Sequence, residues 1–487
     1  MTDTKLPEMS PVTAGAEGDP FKLRGKMGTL GLMFTVLAFV GPLVAAFGYI
    51  SFDLSFNVAA PLAFVIAALV ILLFALGFTR MTRFVPRAGG FYTYIAEGLG
   101  KPLGLGGAFV ALYTYLFALI SSYAFSATAL NNFLGTIFHL SALPWWICAL
   151  IMWAVVSVVS YFNIEVSAKL LLVLMACEMV IIIVFDAVVL AKGGPEGLSS
   201  TPWSFGQLGH GSTGLLFLFA IGLFVGFEAT VVYRDEVKNP EKTVPRATYG
   251  AIIFLGVFYA ITCYALVTAH GASKAVADAT SNPAGMFGIS LNAYLGKVTG
   301  DIVSVLLVTS ILALILSGQN ILARYTHSLG VDGVFPRAVG VTHPKHGSPS
   351  RASMVVSAIF LVVIVGAALT RVDSVALYGA VSSLGFYGLL LMLVLVSIAV
   401  IVYFRRHPEH PVGIWTTVVA PVIATLAIGT CLVIASMNLS LLVAGSTALA
   451  AVLIGLCFFV LALGIVLAAI YKRTRPETYA RIGRSID

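Results

Sequence analysis

Charge is what this chain most lacks. Of its 487 residues only 10% are charged while 59% are hydrophobic, and the mean hydropathy is +1.00. Water-soluble domains carry about 25% charged residues, so a set of such domains is excluded and a polytopic membrane protein remains. Cysteine is sparse as well. Cys148, Cys177, Cys263, Cys431 and Cys457 all fall in apolar runs, with no CxxC pair and no zinc-like spacing. They read as reduced packing residues. The eight histidines sit in polar connections or at segment ends, so no ligand cluster points to a metal, and neither metal nor cofactor is expected. A GxxxxGK[ST] phosphate loop is missing, and Gly98, Gly100 and Gly104 do not make the GxGxxG spacing. ATP drive and nucleotide binding therefore find no support. Nothing reads as a nucleophile–base pair, so the chain is not expected to be an enzyme.

Long apolar runs, by contrast, are abundant. Twelve segments, near 29–55, 58–79, 103–133, 145–162, 168–191, 213–233, 247–270, 299–326, 351–370, 375–404, 413–436 and 446–471, are long enough to cross about 30 Å of hydrocarbon. Residues 1–27 end in Lys22, Arg24 and Lys26 and lack an apolar core followed by a cleavage site. They read as a disordered cytoplasmic tail rather than a signal peptide. With the N-terminus inside, all but four of the 28 Lys and Arg fall on the inner side, the exceptions being Lys192, Lys274, Lys297 and Arg371. This asymmetry predicts that both termini are cytoplasmic. It also explains the net charge of +7 through topology, without nucleic acid as a partner.

Two of the segments carry interruptions where a membrane helix should be continuous. In the first, Gly41-Pro42 lies deep in the apolar run; proline removes a backbone donor and clashes with the preceding turn, so a kink or an opening is expected. In the sixth, Gly226 and Glu228 interrupt Phe224-Val225-Gly226-Phe227-Glu228. A glycine weakens a helix by roughly 1 kcal/mol relative to alanine, and a central acid costs about 2.5–3.5 kcal/mol on insertion scales. Freed backbone groups are tolerable at that depth only where protein or a water-filled cavity satisfies them. The two interrupted segments lie five helices apart, and two units of five helices have opposite orientations. Breaks at corresponding positions of inverted repeats point to a transporter's central site.

The fifth segment holds Lys169, Glu178 and Asp186. Ionisable groups at this depth are candidates for function. Lys169 and Glu178, nine residues apart, stand roughly 900° apart on a helix and point to opposite faces. Each also has a plain reading, Lys169 as a snorkelling anchor and the acids as packing residues. The inner loop after the second segment contains Gly89-Gly90, a sharp turn before a short interfacial helix.

Three stretches resemble one family. Gly226-Phe227-Glu228, followed by Asp235-Glu236-Val237-Lys238-Asn239-Pro240 and Pro245-Arg246-Ala247, resembles the signature of the amino acid–polyamine–organocation transporter superfamily. Val85-Pro86-Arg87-Ala88-Gly89-Gly90-Phe91-Tyr92 is similar to its second hallmark, and Ala323-Arg324-Tyr325 through Pro336 to its third. The resemblance spans about 29–404 and implies an all-α integral membrane protein with a five-plus-five inverted repeat of the LeuT type, helices one and six being discontinuous. It divides the chain into the tail 1–27, a transporter core 28–404, peripheral helices eleven and twelve in 405–471, and a basic cytoplasmic tail 472–487. It further implies that backbone groups of Val40, Gly41, Pro42, Leu43, Val44 and Ala45, and of Phe224, Val225, Gly226, Phe227 and Glu228, hold the substrate. Half-helix ends suit such a task, since an N-terminus presents free donors and about +0.5 charge to an anion. A zwitterion fits.

By the same resemblance Lys169 tethers helices one and eight in place of sodium, with Thr309 and Ser310 contributing oxygens. Glu228 is open between a substrate or proton-coupling carboxylate and an acceptor for unwound backbone. The family's aromatic four residues before the unwound glycine is replaced by Gly222, leaving Phe224 or the helix-three tyrosines Tyr113, Tyr115 and Tyr123 as candidate gates and predicting a wider pocket. Asp235 and Glu236 are candidates for an inner gate with Arg80, Arg83, Arg87 or Arg324.

The reading that emerges is a secondary transporter of an amino acid or related amine in the plasma or inner membrane. It is expected to be proton-coupled or an exchanger, sodium-independent, and a monomer or homodimer in the bilayer. A sensor or channel that keeps the fold without coupled transport is the alternative.

Overall fold

The computed structural model describes residues 27–85, 90–161, 168–232, 237–342, 349–442 and 446–483. Among them every regular element is a helix, apart from an isolated bridge between Met27 and Val237. The helices are α1 (Thr29–Val40), α2 (Pro42–Leu54), α3 (Ala60–Phe84), α4 (Phe91–Leu99), α5 (Lys101–Phe138), α6 (Trp145–Tyr161), α7 (Ala168–Lys192), α8 (Thr213–Gly222) and α9 (Ala229–Val232). They continue with α10 (Pro240–His270), α11 (Ala275–Ser281), α12 (Pro283–Leu295), α13 (Lys297–Val331), α14 (Ser350–Leu369), α15 (Ser374–Arg406), α16 (Trp415–Asn438), α17 (Thr447–Thr474) and α18 (Pro476–Arg481). Nine helices among the described residues are long and apolar enough to cross a membrane. The expected first, fourth and sixth segments appear instead as the shorter apolar helices α2, α6 and α8, the first and sixth with a partner helix across a break.

Both breaks follow from local chemistry. Gly41 takes φ 63°, ψ 89°, a left-handed conformation that ends α1, and Pro42, with no N–H to leave unsatisfied, opens α2. The helix then widens into a π-helical turn over Ala45–Ile50. In the other segment α8 stops at Gly222, turns occupy 223–228, and Gly226 stands at φ 101°. Such an angle strains any residue with a side chain.

Around these breaks α5 forms the central post, packed against α4, α13, α15 and α17. Lipid is as apolar as leucine, so such contacts depend on close backbone approach through small residues. Gly106 and Gly464 bring α5 and α17 so near that a Cβ on Gly464 would lie 2.6 Å from the Gly106 Cα. The opposite side of α17 carries the exposed apolar residues Val452, Phe459 and Val466. A short helix is present where one was expected after Gly89-Gly90, as α4, entered through Gly90.

Candidate functional site

The half-helices of the two interrupted segments pair across the breaks: α1 packs on α9, and α2 packs on α8. All six residues from Val40 to Ala45 are buried, as are Phe224, Gly226, Phe227 and Glu228; Val225 is partly exposed.

Glu228 closes the second break. One carboxylate oxygen accepts the Gly226 N–H at 2.8 Å, and the other accepts the Tyr115 hydroxyl of α5, also at 2.8 Å. The carboxylate is therefore an acceptor for unwound backbone and, at the same time, the link from the break to the central post. On the neighbouring side Tyr259 of α10 donates its hydroxyl to the carbonyl of Leu223 at 3.2 Å, and its ring packs on Phe224. Orphaned backbone groups left by the break thus find side-chain partners, as groups buried at this depth require.

The three sequence motifs converge here. Tyr325, from the third, has its ring 5.8 Å from that of Tyr115, the donor to Glu228, and 5.9 Å from that of Tyr92 in the second. A Cβ at Gly90 would overlap the Tyr325 hydroxyl, which is why that motif needs glycine there. Phe91 and Phe74 pack edge-on or tilted against Phe227.

The first break has its own carboxylate. Glu178 of α7 is buried, and its Oε2 accepts the Leu43 N–H at 3.3 Å and the Ser310 hydroxyl at 2.8 Å. Ser310 also lies against Gly41, where a Cβ would stand 3.2 Å from its Oγ. A tether between the first interrupted segment and α13 therefore exists, and among the described side chains Glu178 makes it. The side chain of Lys169 lies outside the described residues. Thr309, adjacent to Ser310, turns its hydroxyl to the carbonyl of Leu306 in its own helix.

Of the candidate gate aromatics, Tyr115 and Phe224 stand at the second break, and Tyr113 and Tyr123 bond elsewhere. Tyr113 directs its hydroxyl at the carbonyl of Leu453 of α17, and Tyr123 contacts Gln319 and packs at a tilt against Phe360 of α14. Asp235, Glu236 and Arg87 lie outside the described residues. The aromatic next to Gly222 comes instead from α15: the Phe386 ring occupies the space a Cβ at 222 would need. That ring packs 5.4 Å from Tyr49 and 5.3 Å from Phe219, making one layer from α2, α8 and α15. The space beside Gly222 is consequently filled, not widened. A glycine inside an apolar helix was the available signal, but nothing local to it names a partner so distant in sequence.

Two interrupted apolar helices side by side, each with a buried carboxylate accepting a backbone N–H at its break, in a chain with nine further helices among the described residues long and apolar enough to span a bilayer, define the class: an integral membrane protein. The comparison with known proteins is specific. The amino acid permease family model matches residues 32–480, and the chain belongs to that family. It is 25% identical to the branched-chain amino acid permease BcaP of Bacillus subtilis (strain 168) over 392 residues, covering 76% of this chain and 79% of that protein. The methylthioribose transporter of the same organism is 26% identical over 391 residues, with the same shares covered. The low-affinity putrescine importer PlaP of Escherichia coli (strain K12) is 26% identical over 314 residues, 62% of this chain and 66% of that protein.

Proposed function

We propose that this chain is a secondary transporter that carries an amino acid or a related amine across the plasma or inner membrane by alternating access. The substrate lies between the breaks at Val40–Ala45 and Phe224–Glu228. The observation that carries this reading is the pairing of two interrupted helices, broken at glycines of positive φ, in a chain of the amino acid permease family. The half-helix dipoles at the breaks favour a carboxylate at an N-terminal end and an ammonium group at a C-terminal end. The relatives' names span a branched-chain amino acid, putrescine and methylthioribose, so the reading commits to an amino acid or amine as a class and not to one compound.

In this reading the chain crosses twelve times as two inverted units of five helices plus two peripheral ones, with both termini cytoplasmic. Movement of α1, α2, α8 and α9 against the remaining helices exposes the site to each side in turn. Coupling is to protons or to a counter-substrate, and sodium is not needed. Uptake of labelled leucine, lysine and putrescine into liposomes holding the purified protein tests this. Saturable uptake stimulated by unlabelled substrate on the far side is the expected result, unchanged when choline replaces sodium at constant pH. Ion conductance without saturation would overturn it.

A further inference from the structure

Glu178 has no part in holding substrate in the reading above, yet it sits where three helices meet. Leu43, whose N–H it accepts, is the first residue after Gly41 and Pro42 with an N–H to offer, and the break leaves that donor without a helical partner. Ser310, its second donor, belongs to α13. A single oxygen of α7 thus joins α2 to α13.

The titratable groups around it are few. On its own helix are Asp186, which accepts the Thr262 hydroxyl of α10 at 2.8 Å, the exposed Cys177, Lys192 in the last turn, and Lys169, whose side chain lies outside the described residues. From α1 there is none, and α13 has none between Asp301 and Arg324. From α2 come Tyr49, in the aromatic layer, and Asp53 at its far end. From α10 come Glu241, Lys242 and Arg246 in its first two turns; Tyr249, bonded to Thr79; Tyr259, committed to Leu223; Cys263; Tyr264, bonded to Ser199; and His270, bonded to Asp278 of α11 and Ser290 of α12. From α12 comes Tyr294, which donates to the carbonyl of Gly193. Among the described side chains, none of these takes up either donor that Glu178 holds.

We propose that Glu178 is a proton-binding site that couples a pH gradient to movement of α2, an inference resting on the transporter reading. Ionised, the carboxylate accepts two hydrogen bonds and holds α2 to α13; hydrogen bonds to a charged acceptor are roughly twice as strong as neutral ones. Binding one proton turns –COO⁻ into –COOH, which removes the charge and converts one acceptor oxygen into a donor. The tie at Leu43 and Ser310 then weakens and α2 is released. Losing the proton on the other side of the membrane restores the tie, so each cycle moves one proton.

The test is Glu178→Gln in proteoliposomes, with Glu178→Asp and melting temperature as controls. Gln keeps an acceptor for Leu43 and Ser310 but cannot take up a proton. The expected result is loss of accumulation driven by a pH gradient, a flat pH profile, and exchange of labelled for unlabelled substrate still measurable; Asp restores part of the pH response. Accumulation by the Gln variant on a pH gradient at the wild-type level overturns the proposal alone. So does wild-type accumulation that follows a sodium gradient and not a pH gradient. A wild type that carries none of leucine, lysine or putrescine overturns the transporter reading and this proposal with it.

Discussion

The ring of Phe386 in α15 fills the volume that a side chain at position 222 in α8 would occupy. An aromatic beside the second break is thus supplied from a different helix, and the two positions exchange bulk for space. Gly222→Phe alone overpacks the layer, costing about 1–3 kcal/mol, and Phe386→Ala alone empties it, costing about 3–5 kcal/mol. The double variant should be more stable than the sum of the two losses by about 0.5–3 kcal/mol. Melting temperatures of the four proteins in detergent check this, and strict additivity would show that the two positions do not share a space.

Tyr115 is the side chain that links Glu228 to the central post. Tyr115→Phe leaves one oxygen of the buried carboxylate without its donor, a cost of about 1–3 kcal/mol. Lower melting temperature together with reduced uptake is expected. Tyr113→Phe removes a hydroxyl whose hydrogen bond among the described residues is a long one, 3.5 Å, to the carbonyl of Leu453, and should leave both nearly unchanged.

The segment where α13 ends carries a pH dependence of its own. Asp332, just past α13, is buried, which pushes its carboxyl from 3.8 up to about 7, while Arg481 of α18 pulls it down. Because the folded-state value lies above the unfolded one, the fold favours the protonated acid, and this contribution is fully present below about pH 4. It is lost as pH rises through about 7. The melting temperature should therefore fall between pH 5 and pH 8, and Asp332→Asn should shrink that fall. An unchanged slope in the variant would assign the dependence to other groups.

Much of this site could be read from the residues themselves. Gly41-Pro42 and Gly226 break their helices because glycine and proline act locally, on their own backbone angles and donors, and local effects are what a single sequence displays. Ser310 is also where the resemblance led. The tether's other end was less legible. Lys169 stands in a motif-like context, whereas Glu178 has no neighbour in sequence that marks it; its partners Leu43 and Ser310 lie 135 and 132 positions away. The same holds for Phe386, whose role appears only as a missing side chain at Gly222. Tyr115 was one of three equivalent tyrosines in α5, and only the rotation of that helix against the second break selects it.

Gly226 is the residue on which both the break and the site depend. Its φ of 101° forces strain of about 1–3 kcal/mol on any replacement with a side chain, a loss a protein of this size can absorb while the backbone around the site shifts. A thermal-shift measurement on purified wild type and Gly226→Val, against amino acids and polyamines, tests the substrate site most directly. A ligand at about 100 times its dissociation constant adds roughly 2.7 kcal/mol of stability. One of these classes is expected to raise the melting temperature of the wild type and to leave that of a folded Gly226→Val unmoved. An equal shift in both proteins would contradict it and place the substrate away from the paired breaks.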